Sequence, residues 1–422
     1  MTKPVKVFPL WIAAWMGLQS APARAQVILL HSFGGGNADG AGPLGALTHS
    51  GAFLYGTAES GGSSADAGTL FKIGVDGTGY GVTHTFTNGL DGGSPFGSLT
   101  QNLSILYGTT VNAGSAGQGT IFKIGVDGTD FGVVHAFMGS PTDGSNPQGS
   151  LVQSGSTFYG TTTNGGSAGG GTIFKVNADG TSETVLHSFV GGSNDGQNPT
   201  YGAPALSGTN LYGMTISGGS TGSGVIYKIG TDGTGFTVLH SFTFAPGDGN
   251  TPFGSVIVSG STIYGLTSIG GTSGNGTIFK INVDGTGFTL LHSFGGQPSD
   301  GRGPLGELLL SNSNLYGTTY QGGTANLGTL FSIGIDGSNY DVMHSLAGGP
   351  TDGANPYSDL ILIGSNFYGT SVFGGTSNNG TIFSFTPVPE PSSLLLVGSA
   401  ASVAAWAIRR RRRRQSNTRA TC

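Results

Sequence analysis

Between residues 26 and 386 apolar and polar positions alternate in short runs, each closed by Gly, Asn, Asp or Pro. A period of two marks strands that bury one face. Four such runs follow one another at residues 254–259, 262–267, 276–283 and 287–294, all rich in β-branched or aromatic residues. They predict four short strands. No window carries a helical period with caps, and glycine in these runs would cost a helix about 1 kcal/mol per position.

The same set recurs along the chain. Tyr-Gly begins at Tyr55, Tyr107, Tyr159, Tyr212, Tyr264, Tyr316 and Tyr368, a spacing of 52 or 53 residues. A diglycine follows (Gly61, Gly165, Gly218, Gly270, Gly322 and Gly374, with Ala113-Gly114 in the second copy), then Gly-Thr-Ile-Phe or a near variant. Next comes a run centred on His31, His84, His135, His187, His240, His292 or His344, then Asp-Gly-x-x-Pro at Asp39, Asp91, Asp143, Asp195, Asp248, Asp300 and Asp352. Between third and fourth strands lie six Asp-Gly dipeptides, from Asp76-Gly77 to Asp336-Gly337. Asp-Gly suits a tight hairpin because both residues tolerate positive φ.

The missing seventh hairpin is informative. Residues 381–383 should lead into a fourth strand but run into the C-terminal tail, while residues 27–33 read as a fourth strand without the first three. Pairing of the two ends completes one unit. The expected fold is an all-β, seven-bladed β-propeller at residues 26–386, closed by the N-terminal strand in the last blade. Residues 26–385 divided by seven give about 51 per blade, near the kelch length. A β-solenoid is the runner-up, but it has no use for the complementary ends and wants capping repeats.

Composition agrees with a folded body. The 82 glycines and 18 prolines make 100 of 422 residues, yet there are 40 aromatics (24 Phe, 13 Tyr, 3 Trp) and only 9% charged residues. Too little charge is present to keep the chain expanded. The net charge of −5 hides a division, because ten of the 16 basic residues lie near the ends. The central body holds six basic and 20 acidic residues, 6 − 20 = −14. That surface repels phosphate backbones, so no nucleic-acid partner is expected. The one cysteine, Cys422, excludes an intrachain disulfide and a cysteine metal centre.

The ends read as addresses. Lys3 and Lys6 precede an apolar run over residues 7–18, and Ala23 and Ala25 stand where a signal peptidase reads small residues. Residues 1–25 are the expected signal peptide. At the other end, Val388-Pro389-Glu390-Pro391 precedes an apolar stretch at residues 394–408 and six arginines at residues 409–414. Fifteen apolar residues make about 22 Å of helix, short for a core of about 30 Å. The arginines would stay cytoplasmic. Residues 387–422 resemble the PEP-CTERM sorting signal, with its Pro-Glu-Pro motif, short transmembrane helix and basic end. The resemblance implies export, transient anchoring in the membrane through that C-terminal helix, and processing near Pro389-Glu390-Pro391 by an exosortase-like membrane protease. The mature form would be extracellular or attached to the cell surface.

The Tyr-Gly-Thr, diglycine, Gly-Thr-Ile-Phe and His-Ser-Phe elements together resemble the GloVer-type tandem repeat, a bacterial family that often carries interchangeable surface anchors. Met214 and Val225 are the departures. The diglycine is distantly kelch-like, but the kelch Trp is absent. The family resemblance supplies no established activity.

Candidate chemistry is sparse. In Val238-Leu239-His240-Ser241-Phe242, alternation puts Val238, His240 and Phe242 on one face. The histidines read as core residues bonded to neighbouring backbone, since outer strands of adjacent blades stand too far apart for one metal to bridge them. The seven aspartates read as turn residues: Asp bonds a local N–H, Gly takes positive φ and Pro sets the next strand's direction. The alternative is weak Ca²⁺ binding by Asp39, Asp91, Asp143, Asp195, Asp248, Asp300 and Asp352. Lys72, Lys123, Lys175, Lys228 and Lys280 read as solvated, and His49 as a surface residue. Catalytic groups in a symmetric body should break the symmetry. Glu59, Asp66, Asp130, Glu183, Arg302, Glu307, Asp341 and Asp359 do so, without forming any recognisable pair. No catalytic residue and no cofactor follow. The expected function is that of an exported, non-enzymatic interaction module for extracellular matrix or polysaccharide. The alternatives are a carbohydrate-active hydrolase or lyase using off-repeat acids in the central mouth, and a passive structural envelope protein.

Overall fold

The computed structural model describes residues 26–199 and 201–387. Seven four-stranded antiparallel units follow one another. In the first, the strands Thr48–Ser50, Phe53–Ala58, Thr69–Gly74 and Gly81–Thr85 pair in chain order. The fifth has the four expected strands, Gly249–Ser259, Thr262–Gly270, Thr277–Asn282 and Thr289–Ser293, the first starting five residues earlier and the second ending three later than alternation predicts. One cavity is lined by residues in or just before the first strand of all seven units, including Ala46, Ser98, Ser150, Gly202, Ser255 and Glu307. Only an axial position allows that, so the first strand of each blade is innermost and the fourth outermost. The protein is an all-β, seven-bladed propeller.

The ring closes as the complementary ends require. In the last blade Gln26–Ser32 lies beside Thr381–Thr386, followed by Asn366–Ser371 and Ile361–Ile363. Phe33 N donates to Gly380 O at 3.0 Å, and Asn379 Nδ2 to Gly34 O at 2.9 Å. Among the described residues the helical element is a single 3-10 turn, Gly349–Thr351. The expected signal peptide, with Ala23 and Ala25, the Val388-Pro389-Glu390-Pro391 motif and the C-terminal helix lie outside the described residues.

The repeated motifs are packing devices. The Tyr-Gly glycine pairs across to the third-strand aromatic, as Gly265 does with Phe279. A Cβ there would stand 2.5 Å from Phe279 Cζ, so the ring lies over the bare glycine. The glycine that opens the third strand, Gly276 in this blade, has φ 101°, and Pro304 of the next blade packs against it. Threonines at the start of the third strand pair hydroxyls with the second strand, as in Thr267–Thr277 at 2.8 Å. The core lies between blades. The Phe of each His-Ser-Phe element meets the third-strand ring of the following blade edge to face, as in Phe33–Phe71, Phe86–Phe122 and Phe242–Phe279 at 5.2–5.5 Å. Such a pair adds about 0.5–1.5 kcal/mol to the burial of two rings.

Two turn expectations change. In the Asp-Gly hairpin only the glycine has positive φ: Gly77 stands at 83°. Gly77 N donates to Gly74 O and Gly74 N to Thr78 O, a turn followed by a one-residue bulge. Asp76 stays in ordinary backbone space and accepts from Thr78 N and Oγ1. In Asp-Gly-x-x-Pro, Gly92 has positive φ, but Gly40, Gly144, Gly196, Gly249, Gly301 and Gly353 do not. Those six are glycine for room, since a Cβ on Gly249 would stand 2.3 Å from Thr267 Cγ2.

Candidate functional site

The outer rim carries the repeated polar residues. In six blades the outermost strand has a bulge at one position; in the fourth blade Ile226 pairs with His240 while Tyr227 pairs with Val238. Leu239 is the extra residue, so Val238 and His240 fall on opposite faces, against the expected alternation. His240 and Phe242 remain together, with ring centroids 4.9 Å apart. The bulge aims each imidazole at the aspartate of the connection that follows. All seven His–Asp pairs form, with Nε2 to carboxylate distances of 3.0–3.4 Å. The histidine partner is therefore a carboxylate rather than the expected backbone group. The aspartate also ties its own loop: Asp248 accepts from Thr243 N, Thr243 Oγ1 and Gly249 N at 2.8–3.0 Å. Burial opposes the charge of Asp39, Asp143, Asp248 and Asp300. The imidazole and backbone N–H groups outweigh it, holding these carboxyls below their ordinary range. Five of the histidines carry a ring of the next blade stacked flat on them, as His240 carries Phe288 at 4.0 Å.

The Asp91 clasp is looser. Asp91 follows His84 by seven residues where the other pairs are eight apart. His84 Nε2 stands 3.4 Å from the carboxylate without hydrogen-bond geometry, and burial pushes this imidazole's pKa down. His49 is exposed and reaches Gly51 O. Lys72, Lys123 and Lys175 are partly exposed and lie near the hairpin carboxylates of the next blade, Asp127, Asp179 and Asp232.

The axis holds the other cluster. The residue three after each repeat proline faces it: Ala46, Ser98, Ser150, Gly202, Ser255, Glu307 and Asp359. They bond around the ring, with Ala46 N donating to Ser98 Oγ and Ser98 N to Ser150 Oγ. Glu307 N donates to an Asp359 carboxylate oxygen. Glu307 and Asp359 thus form a pair that sequence reasoning did not recognise. Both lie deep in the molecule with part of their surface on the cavity. Burial raises both: Glu307 well above the usual range, helped by Asp359, and Asp359 to about 6. Ser255 Oγ, 95% of whose residue surface is buried, lies against Glu307 but makes no well-formed hydrogen bond. The cavity measures about 40 Å³.

Beside the acids, rings from four blades converge: Phe96, Tyr201, Phe253 and Tyr357, with neighbouring centroids 4.5–5.7 Å apart. Tyr320 reaches Tyr357 at 6.3 Å. Burial, then the charges of Tyr201, Glu59 and Tyr320, push the Tyr357 phenol up. Glu59, itself raised by burial and by Asp66, is therefore near this mouth. Glu183 belongs to the rim, with His135 and Asp143.

The model of the Gloeobacter/Verrucomicrobia repeat matches this chain three times, at residues 18–222, 105–310 and 202–397. The chain belongs to the Gloeobacter/Verrucomicrobia repeat family. The PEP-CTERM protein-sorting motif matches residues 387–413, so this family member is exported and sorted to the cell surface by an exosortase-type system. No curated protein sequence matches the chain. Among solved structures the repeat propeller is similar to an oligogalacturonate lyase in complex with manganese, at 11% identity and TM-score 0.55, covering 86% of this chain and 94% of that one. It is also similar to a putative 6-phosphogluconolactonase from Bacteroides uniformis, at 17% identity and TM-score 0.50, covering 74% and 86%. At these identities the likeness is one of fold.

Proposed function

We propose that the exported body is a non-enzymatic interaction module that holds extracellular polysaccharide at its axial mouth, after an exosortase-like protease removes the tail near Pro389-Glu390-Pro391. The observation that carries this reading is the convergence of Phe96, Tyr201, Tyr320 and Tyr357, all half-buried, around one opening. Flat rings offer an apolar face to the C–H face of a sugar, and tyrosine adds a polar tip. The central body's charge of −14 favours a neutral or basic glycan over a polyanion.

The acid pair favours a second reading, a carbohydrate-active enzyme. Glycoside hydrolysis uses two carboxyls, one kept protonated as the acid by a raised pKa and one ionised as base or nucleophile, and Glu307, raised further than Asp359, would be the acid. The space argues against it. A cavity of about 40 Å³ admits a water or two, whereas ligand pockets begin near roughly 300 Å³.

The test is a polysaccharide and glycan-array screen with the protein purified from its host, plus mass spectrometry of the mature chain. Binding that falls at least tenfold in Tyr357→Ala, with unchanged circular dichroism, supports the module. Release of reducing ends that Glu307→Gln abolishes overturns it in favour of the enzyme. Silence in every assay leaves a passive structural protein. An intact arginine block at residues 409–414 overturns the processing step.

A further inference from the structure

Four residues before each repeated histidine stand Val27, Tyr80, Phe131, Glu183, Phe236, Phe288 and Tyr340. The five aromatics each stack on the histidine of the preceding blade, with centroids 3.5–4.0 Å apart and planes within 12°. In the third blade the position is a carboxylate. Ligand atoms of His135, Asp143 and Glu183 all lie within 4.8 Å of one another. Among the described residues no other blade gathers three such donors.

We propose that His135, Asp143 and Glu183 form a divalent transition-metal site, suited to Zn²⁺, on the rim between the second and third blades. His135 comes from the outermost strand Gly132–Ala136, Asp143 from the connection that follows, and Glu183 from the turn before Thr184–Ser188. The three converge only because the blades pack side by side.

Three observations support the site. First, Glu183 Oε1 is closed off from solvent and meets no hydrogen-bond partner. Burial raises the Glu183 pKa, the Asp143 charge raises it further, and His135 offsets only part. A carboxylate enclosed beside a second carboxylate is costly, and a cation between them removes the cost. Second, the spacing fits. Bonds of about 2.0–2.2 Å at a tetrahedral angle put donors about 3.3–3.5 Å apart. His135 Nε2 and Asp143 Oδ2 stand 3.2 Å apart, and a Glu183 carboxylate oxygen lies within 4.8 Å of both. Third, Asp143 is already oriented by Met138 N and Gly144 N at 2.7 and 2.6 Å, as outer contacts orient metal ligands.

The donor set selects the ion. One imidazole nitrogen and two carboxylate oxygens leave a fourth position for water, the arrangement that four-coordinate Zn²⁺ takes. Ca²⁺ asks for six to eight oxygens and finds two carboxylates here. The seven aspartates considered for calcium in the sequence therefore divide: Asp143 gains a third ligand, and the other six keep a histidine and their own loop. Two ligating carboxylates carry −2, which one divalent ion balances.

The experiment is titration of the purified full-length protein with ZnCl₂ and, separately, CaCl₂, read by calorimetry and by the histidine side-chain NMR signals. The expected result is one equivalent of Zn²⁺ that shifts the His135 ring, with no comparable response to Ca²⁺. Glu183→Phe, which restores the aromatic of the other blades, should lose that equivalent with at least a hundredfold fall in affinity. Glu183→Gln, close in size, should lose at least tenfold, and it serves should the Phe variant fail to fold. Absence of Zn²⁺ binding in the wild-type protein, an undiminished equivalent in both variants, or equal affinity for Ca²⁺ would overturn the proposal.

Discussion

A single aspartate in this propeller holds two strands and a loop at once. Asp248 accepts from His240, Thr243 and Gly249, so Asp248→Ala strands several donors in a half-buried place. Urea denaturation should show a loss of about 2–4 kcal/mol. The clasps also set a pH dependence. Asp39, Asp143, Asp248 and Asp300 ionise more readily folded than unfolded. Their stabilisation is complete above the ordinary aspartate value of about 3.9 and is lost as pH falls through the lower native values. The axial pair has the opposite sign. Asp359 is raised to about 6, so the fold binds its proton more tightly than the unfolded chain does. That group adds stability as pH falls from about 6 to about 4. Asp359→Asn keeps the acceptor for Glu307 N and removes the charge, so thermal melts at pH 7 should show stabilisation of roughly 1–3 kcal/mol and a flatter profile between pH 4 and 6.

Strands and hairpins are where the repeat is easiest to read. All four strands of the fifth blade form at their predicted sites, the first extended by five residues at its start, because alternation and turn residues are local properties. The bulge in the outermost strand was not legible, since Val238-Leu239-His240 alternates like any strand and only its pairing shows the extra residue. The glycine after each tyrosine looks like a weakness in a strand and is instead the floor under a ring. Gly265→Ala pushes a methyl into Phe279, a fully buried ring, and should cost about 1–3 kcal/mol by chemical denaturation. The same change at the exposed hairpin glycine Gly260, where a Cβ meets open space but φ is 60°, tests backbone strain alone and should cost less than the clash.

Closure is the property of the whole ring. Removing residues 26–34 takes away the outermost strand of the last blade, His31 with its bond to Asp39, and Phe33 with its contact to Phe71. Thr381–Thr386 then becomes an open edge able to pair with another chain. The truncated protein should associate in size-exclusion chromatography and lose its sharp unfolding transition; a monomer with unchanged melting would contradict the closure.

Order along the chain alone determined the seven units, the complementary ends and the C-terminal sorting motif, because each rests on local periodicity, on counting or on a short local pattern. The pairing of His with Asp left a trace there, a near-constant separation of eight, but separation does not say that a bulge will aim the ring. Glu307 and Asp359 left a fainter one, both standing three residues after a repeat proline in consecutive copies. That they meet, and that Glu183 meets His135 and Asp143, was decided by the tertiary structure. Those distances are fixed by the angle at which one blade packs on the next, and that angle depends on interlocked rings from two blades, a relation no single repeat contains.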